Sequence, residues 1–238
     1  MKRNHFINGI RDGIPICLGY FSVSMAFGIA ATTSGMPVWA AILTSVTNVT
    51  SAGQFAGINI IQELGSLIEI AITTLIINMR YFLMSLSVSQ KIDSSMTLWQ
   101  RFLVSFGITD EVFAVSMKRE EFLTAPYMIG LILTPVLGWT SGTAVGAVAT
   151  SVMPPALASA MGIALYGMFI AIVIPPAREN KNVLFAVIIS ILASLVFYYA
   201  PILRNLSSGW TIIIITVLVS ALCATLCPLR IEDGGEGK

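Results

Sequence analysis

Seven apolar runs joined by short polar linkers leave this chain few ways to fold. They are Gly13 to Thr33, Pro37 to Ile61, Ser66 to Ser89, Phe122 to Trp139, Thr143 to Pro175, Val183 to Ala200 and Trp210 to Cys227. A spanning helix needs about 20 mostly apolar residues, and inside a bilayer every backbone polar group must be bonded within the protein, so these runs read as helices. A weaker eighth run, Phe102 to Met117, contains Asp110 and Glu111. Hydrophobic residues make up 56% of the chain and charged ones only 11%, against about 25% charged in a soluble domain. The expected class is therefore all-α, a polytopic membrane helix bundle of 7 to 8 spans with broken helices. Residues 1–238 read as one transmembrane domain, multi-pass in the cell membrane, with no room for a soluble catalytic domain.

The same composition removes several functions. A net charge of +1 with scattered basic residues gives no footprint for nucleic acid. Cys17, Cys223 and Cys227 lie in apolar runs without a CxxC pair, so they read as packing residues, and no metal or cofactor is expected. The opening MKRNHFINGIRDG is followed by no small-residue cleavage pattern and is read as retained.

Topology rests on the basic residues. With eight crossings and the N-terminus inside, Lys2, Arg3, Arg11, Lys118, Arg119, Arg178, Lys181, Arg230 and Lys238 face the cytoplasm, and Lys91, Arg101 and Arg204 face out. That satisfies the positive-inside rule. If Phe102 to Met117 does not cross, seven spans with the N-terminus outside give eight against four, so the sequence leaves both open. An internal repeat is also expected, with halves 9–118 and 122–227. Pro15 and Gly19 correspond to Pro126 and Gly130, and Thr44, Ser45 and Val46 precede Thr150, Ser151 and Val152 by 106 residues. Helix-unfriendly residues follow each trio, and paired broken segments in two halves are a pointer to a solute site.

Arg80 stands near the middle of its run, where a cation costs roughly 2.5 to 3.5 kcal/mol on insertion scales. It must meet a carboxylate, backbone carbonyls or a water-filled cavity. Thr74, Asn78, Tyr81, Ser85 and Ser89 share one stripe of its helix, and Glu69, Thr73, Arg80 and Ser87 a second, so this helix is expected to be enclosed by protein. Glu69 lies about three turns away, too far to pair with Arg80. The candidate partners are Asp110 and Glu111, of which at most one is expected to face Arg80; the other is free to titrate as a proton site. A static buried pair and a solvated interfacial segment are the alternatives. In the stretch Thr44 to Phe55, Ser45, Asn48 and Gln54 stand among further hydroxyl residues, too polar a set for a lipid face. A local break near Ser51 to Gly53 is expected there; close packing with hydroxyls bonded to their own helix is the other reading.

The segments GIPICLGYFSVSMAFGIAATTSGMP, TSVTNVTSAGQF, NMRYFLMS (Asn78 to Ser85) and TDEVFA (Thr109 to Ala114), with Trp139, Thr140, Ser141, Gly142, Thr143, Gly146 and the stretch Ala164 to Phe169, resemble the AzlC family of branched-chain amino-acid permeases over about residues 9 to 200. The resemblance implies the large subunit of an exporter for branched-chain or other apolar amino acids, working with a small AzlD-type membrane partner. A departure at Val49 to Gly53 from the family's more apolar pattern leaves the solute open. On this reading Arg80 holds the substrate carboxylate, Asn78, Gln54, Asn48 and Ser45 complete the polar end, and Asp110 or Glu111 takes the ammonium or a proton. The proton gradient is the expected driving force, and no Walker A pattern is present, so this chain is not expected to supply ATP energy. An intramembrane enzyme is disfavoured by a single histidine and the lack of HExxH or GxSxG; a non-transporting assembly or sensor subunit is the remaining rival.

Overall fold

The computed structural model describes residues 2–150, 154, 156, 167, 170, 173–201, 203 and 206–226, and these form an all-helical bundle. Its elements are α1 (Lys2–Thr33), α2 (Val38–Thr47), α3 (Ser51–Gln62), α4 (Leu67–Ser89), α5 (Leu98–Phe106), α6 (Asp110–Lys118), α7 (Ala125–Ala149), α8 (Lys181–Tyr199) and α9 (Ser208–Leu226). Among the described residues, five helices are long and apolar enough to cross a bilayer: Asn4–Thr33 within α1, α4, α7, α8 and α9.

Two of the apolar runs do not cross. The run Pro37 to Ile61 is two helices of 10 and 12 residues. At 1.5 Å per residue the longer reaches about 18 Å, well short of a hydrocarbon core of about 30 Å. Gln62 Nε2 donates to Ser34 Oγ at 2.8 Å, so α3 ends beside the start of α2. The weaker run Phe102 to Met117 behaves in the same way. Helices α5 and α6 have 9 residues each. Lys91 Nζ donates to the carbonyls of Met117, at 2.9 Å, and Arg119, while Leu123 exchanges backbone bonds with Lys91 and Asp93, so both open ends of this pair stay beside the C-terminus of α4. Both pairs are re-entrant hairpins, and they enter from opposite ends of the bundle because α4 runs from one to the other.

Each hairpin follows a long helix, α1 before α2/α3 and α4 before α5/α6, giving an inverted repeat in which Thr50 corresponds to Thr109. This repeat lies within residues 2–118 and is separate from the 106-residue correspondence expected between the halves 9–118 and 122–227. At that longer spacing, Thr150 caps the end of α7 and lies 2.8 Å from the Thr32 hydroxyl, whereas Thr44 is inside α2. Ser151, Val152, Met153 and Pro155 lie outside the described residues.

Helices α1 and α7 run parallel with their backbones in contact. A methyl placed at Gly9, Gly28, Gly142 or Gly146 would overlap the carbonyl of Tyr127, Thr143, Phe21 or Met25, and one at Gly138 would lie 2.5 Å from the carbonyl of Cys17. Small residues permit this approach, and close van der Waals packing is what drives helix association in lipid. Helices α8 and α9 pack against each other, and the short link between Tyr199 and Ser208 makes them antiparallel.

The fold-backs rearrange the basic residues. Arg11, Lys91, Arg101, Lys118, Arg119, Arg178 and Lys181 all fall at the end where α1 begins, and no described Lys or Arg falls at the other. Lys91 and Arg101 were expected on the opposite side; the first hairpin removes one crossing and returns them, and the second keeps Lys118 and Arg119 beside them. The expectation that α4 is enclosed also fails. Its outer face, Leu75, Met79, Phe82, Leu83 and Leu86, is exposed, because its polar stripes are met by the two hairpins and by α9 on one side only.

Candidate functional site

The hairpin tips carry the same local chemistry. Thr50 and Thr109 are N-caps of α3 and α6, each hydroxyl accepting from the backbone N–H three residues on, Gly53 and Val112, at 3.4 Å. A threonine in this role satisfies one of the orphan donors of a helix start. Each tip is also tied to the opposite repeat. Thr50 donates to Asn78 Oδ1 on α4 at 2.8 Å, and the Tyr20 hydroxyl on α1 lies 2.7 Å from Thr109 Oγ1. The expected break at Ser51 to Gly53 therefore falls three residues earlier, at Asn48 to Thr50, because capping by Thr50 draws Ser51 to Gly53 into the first turn of α3.

Between the tips lies a cavity of about 850 Å³. Its walls are aliphatic, including Ile16, Val23, Ile76 and Val115, and its polar groups are Tyr20, Ser51, Arg80, Tyr81, Asp110, Glu111, Trp139 and Thr216. Arg80 Nη2 meets Asp110 Oδ2 at 2.9 Å, with 43% and 38% of the two side chains exposed. Both residues line the cavity, so the pair is within reach of a solute there. The guanidinium also lies over the Tyr81 ring, 5.1 Å from its centroid. Asp110 and Glu111 occupy the first turn of α6, where the helix dipole favours negative charge. Turned away by one residue, Glu111 makes no ion pair among the described residues and accepts from the Tyr20 hydroxyl. The Tyr20 ring packs edge-on against Trp139, with centroids 5.4 Å apart.

The remaining candidates lie outside the cavity lining. Gln54 is 3% exposed; it receives the Trp139 indole N–H at 3.0 Å and donates to Ser45 Oγ at 3.3 Å, and Ser45 in turn bonds Thr143 at 2.7 Å. These groups form a closed network behind the cavity wall. Asn48 is the C-cap of α2, and Asn78 is engaged with Thr50. Replacing Gln54 with leucine strands Trp139 Nε1, so it is expected to lower stability by about 1 to 3 kcal/mol. Thermal unfolding checks this, and an unchanged Tm would mean that the network does not hold the bundle. Sequence reasoning left Tyr20, Trp139 and Thr216 without roles. For Tyr20 and Trp139 the available signal was that a ring with a polar tip in an apolar run needs a partner.

The family described as AzlC protein matches residues 15–153, more than half of the chain. An uncharacterized membrane protein of Archaeoglobus fulgidus is 31% identical over 178 residues, covering 73% of this chain and 77% of that one. The inner membrane protein YgaZ of Escherichia coli is 26% identical over 205 residues, covering 83% and 84%. An uncharacterized membrane protein of Helicobacter pylori is 25% identical over 155 residues, covering 62% and 67%. No solved structure matches the chain.

Proposed function

The chain belongs to the AzlC family of membrane proteins, and on that premise we propose that it is the large subunit of a secondary transporter that exports branched-chain or other apolar amino acids. The observation that carries this reading is the cavity between the hairpin tips, where one guanidinium, two carboxylates of different commitment and aliphatic walls face the same space. A zwitterionic amino acid has a matching set of groups. Its carboxylate suits Arg80, whose planar fork of donors can hold Asp110 and a second carboxylate together. Its ammonium suits Glu111 and the Tyr20–Trp139 faces, and its side chain suits Ile16, Val23 and Val115. One methylene changes binding in such a pocket by only about 1 to 3 kcal/mol, so overlapping use of valine, leucine and isoleucine follows.

Glu111 is the group we assign to proton coupling, since Asp110 is held by Arg80 and Glu111 meets only a hydroxyl. A protonated Glu111 can donate to the Tyr20 oxygen, with Tyr20 then turning its own proton to Thr109 Oγ1, so the local bonds accommodate both states. The basic residues gathered at the α1 end support a cytoplasmic N-terminus in the cell membrane. The unburied surface of α8 and the outer face of α4 leave room for a small AzlD-type subunit beside them.

Cells or vesicles loaded with labelled leucine or valine provide the test. Efflux is expected to rise when this chain and its small partner are both present, and equal efflux with and without them overturns the reading. Glu111→Gln is expected to flatten the pH dependence of exchange; a wild-type pH profile in that variant removes Glu111 from coupling.

A further inference from the structure

Helix α1 presents Pro15, Ile16, Gly19, Tyr20 and Val23 to the cavity. At 100° per residue these five share one face of the helix, with Tyr20 at one edge, Pro15 at the other, and Gly19 one turn from both Pro15 and Val23. A glycine inside a helix is unfavourable relative to alanine, so its presence calls for a reason. For the other glycines of α1 the reason is packing. A methyl at Gly9 or Gly28 would overlap a backbone carbonyl of α7, and one at Gly13 would overlap the Thr134 hydroxyl. At Gly19 a methyl would meet no described residue within 4 Å. Backbone conformation does not require glycine there either, since Gly35 is the one described glycine with a positive φ.

What remains is the space itself. Because Gly19 lines the cavity, its missing side chain is a recess in the cavity wall. The recess lies on the apolar side of that wall. The Tyr20 hydroxyl is engaged with Glu111 and Thr109, whereas Gly19 is turned 100° from Tyr20, toward Pro15 and Val23. A solute with its carboxylate at Arg80 and its ammonium at Glu111 has only its aliphatic end left for an apolar wall. Atoms that fill an open recess gain dispersion contacts, and carbon added to the wall takes that room away.

We propose that Gly19 sets the length of the solute side chain that the cavity accepts, by leaving a recess for its branched end. The inference rests on the amino-acid reading of the cavity and adds the residue that discriminates by size. The test uses membrane vesicles containing this chain and its small partner, with initial rates for labelled alanine, valine and leucine at matched protein abundance. The wild type is expected to favour leucine over alanine. Gly19→Val is expected to lower the leucine-to-alanine ratio by roughly 10- to 200-fold, the range for one methylene in an apolar pocket, while alanine still moves. Gly19→Ala shifts the ratio in the same direction by less, and it decides alone if Gly19→Val does not fold. Gly57→Val is the control. A methyl at Gly57 also meets no described residue within 4 Å, but Gly57 is not among the described lining residues, so the ratio is expected to stay at the wild-type value. An equal loss of all three rates in the Gly19 variants, or the same shift in Gly57→Val, overturns the inference. A wild type that moves none of the three solutes overturns the proposed function and this inference with it, whereas a wild type that favours leucine and a Gly19→Val variant that matches it overturn this inference alone.

Discussion

Arg80→Gln is expected to abolish measurable efflux of labelled leucine while the protein still inserts at wild-type abundance. Insertion should if anything ease, because an uncharged side chain at mid-membrane is cheaper than a cation. Transport should fail for two separable reasons. On the proposed reading the amino-acid carboxylate loses the one cation among the described lining residues, and Asp110 loses its 2.9 Å partner. Losing a hydrogen bond to a charged group costs about 1.5 to 3 kcal/mol, or roughly 10- to 150-fold in binding. Adding Asp110→Asn separates the two effects. If the damage were only an unpaired Asp110, the double variant would recover transport; it is expected to stay inactive. Arg80→Lys should keep part of the activity, since an ammonium supplies the charge without the fork. Normal efflux by Arg80→Gln would make the arginine structural at most.

Gly142→Val is expected to cause the largest loss of folded protein. Its side chain would run into the Phe21 carbonyl and Ser24 Oγ on α1. A flexible neighbour can turn aside, but here the obstacle is mainly backbone, and it belongs to the helix pair with the most extensive contact in the fold. Overpacking usually costs about 1 to 3 kcal/mol, and separating two helix backbones along several turns belongs at or above the upper end of that range. The check is the folded fraction recovered from membranes, followed by protease resistance and thermal unfolding. Gly19→Ala serves as the control, since no described residue lies within 4 Å of a methyl at that position. Comparable stability in the two variants would mean that the α1–α7 contact does not hold the bundle together.

The lone charge at Arg80 and the acidic step at Asp110 and Glu111 were legible from sequence because an ionised group in lipid must meet a partner, and the chain offers few. One-residue divergence on a helix was enough to expect different surroundings for the two acids. The polar stretch Thr44 to Phe55 likewise announced a broken helix. The turning back of that helix was not legible. Two helices of nine to twelve residues separated by a short cap have the summed length and hydropathy of one spanning helix, and a reading by runs sees only the sum. Both charge tallies inherited this error. The placement of Gln54 was hidden for another reason: its need for partners was plain, but Trp139 and Ser45 meet it only through tertiary packing. The polar stripes of α4 suggested burial all round, whereas two hairpins and α9 cover them on one side and leave the opposite face to lipid.

The fastening of the hairpin tips has a consequence for movement. Each tip is latched to the opposite repeat by hydrogen bonds between side chains, Thr50 to Asn78 and Tyr20 to Thr109. Such bonds between membrane helices average about 0.6 kcal/mol, close to RT, whereas prising α1 from α7 would disturb backbone contacts along several turns. Thermal agitation can therefore spring the latches while the welded pair stays still. The two threonine tips are thus the more loosely fastened parts of the bundle, and they lie on hairpins that enter from opposite ends.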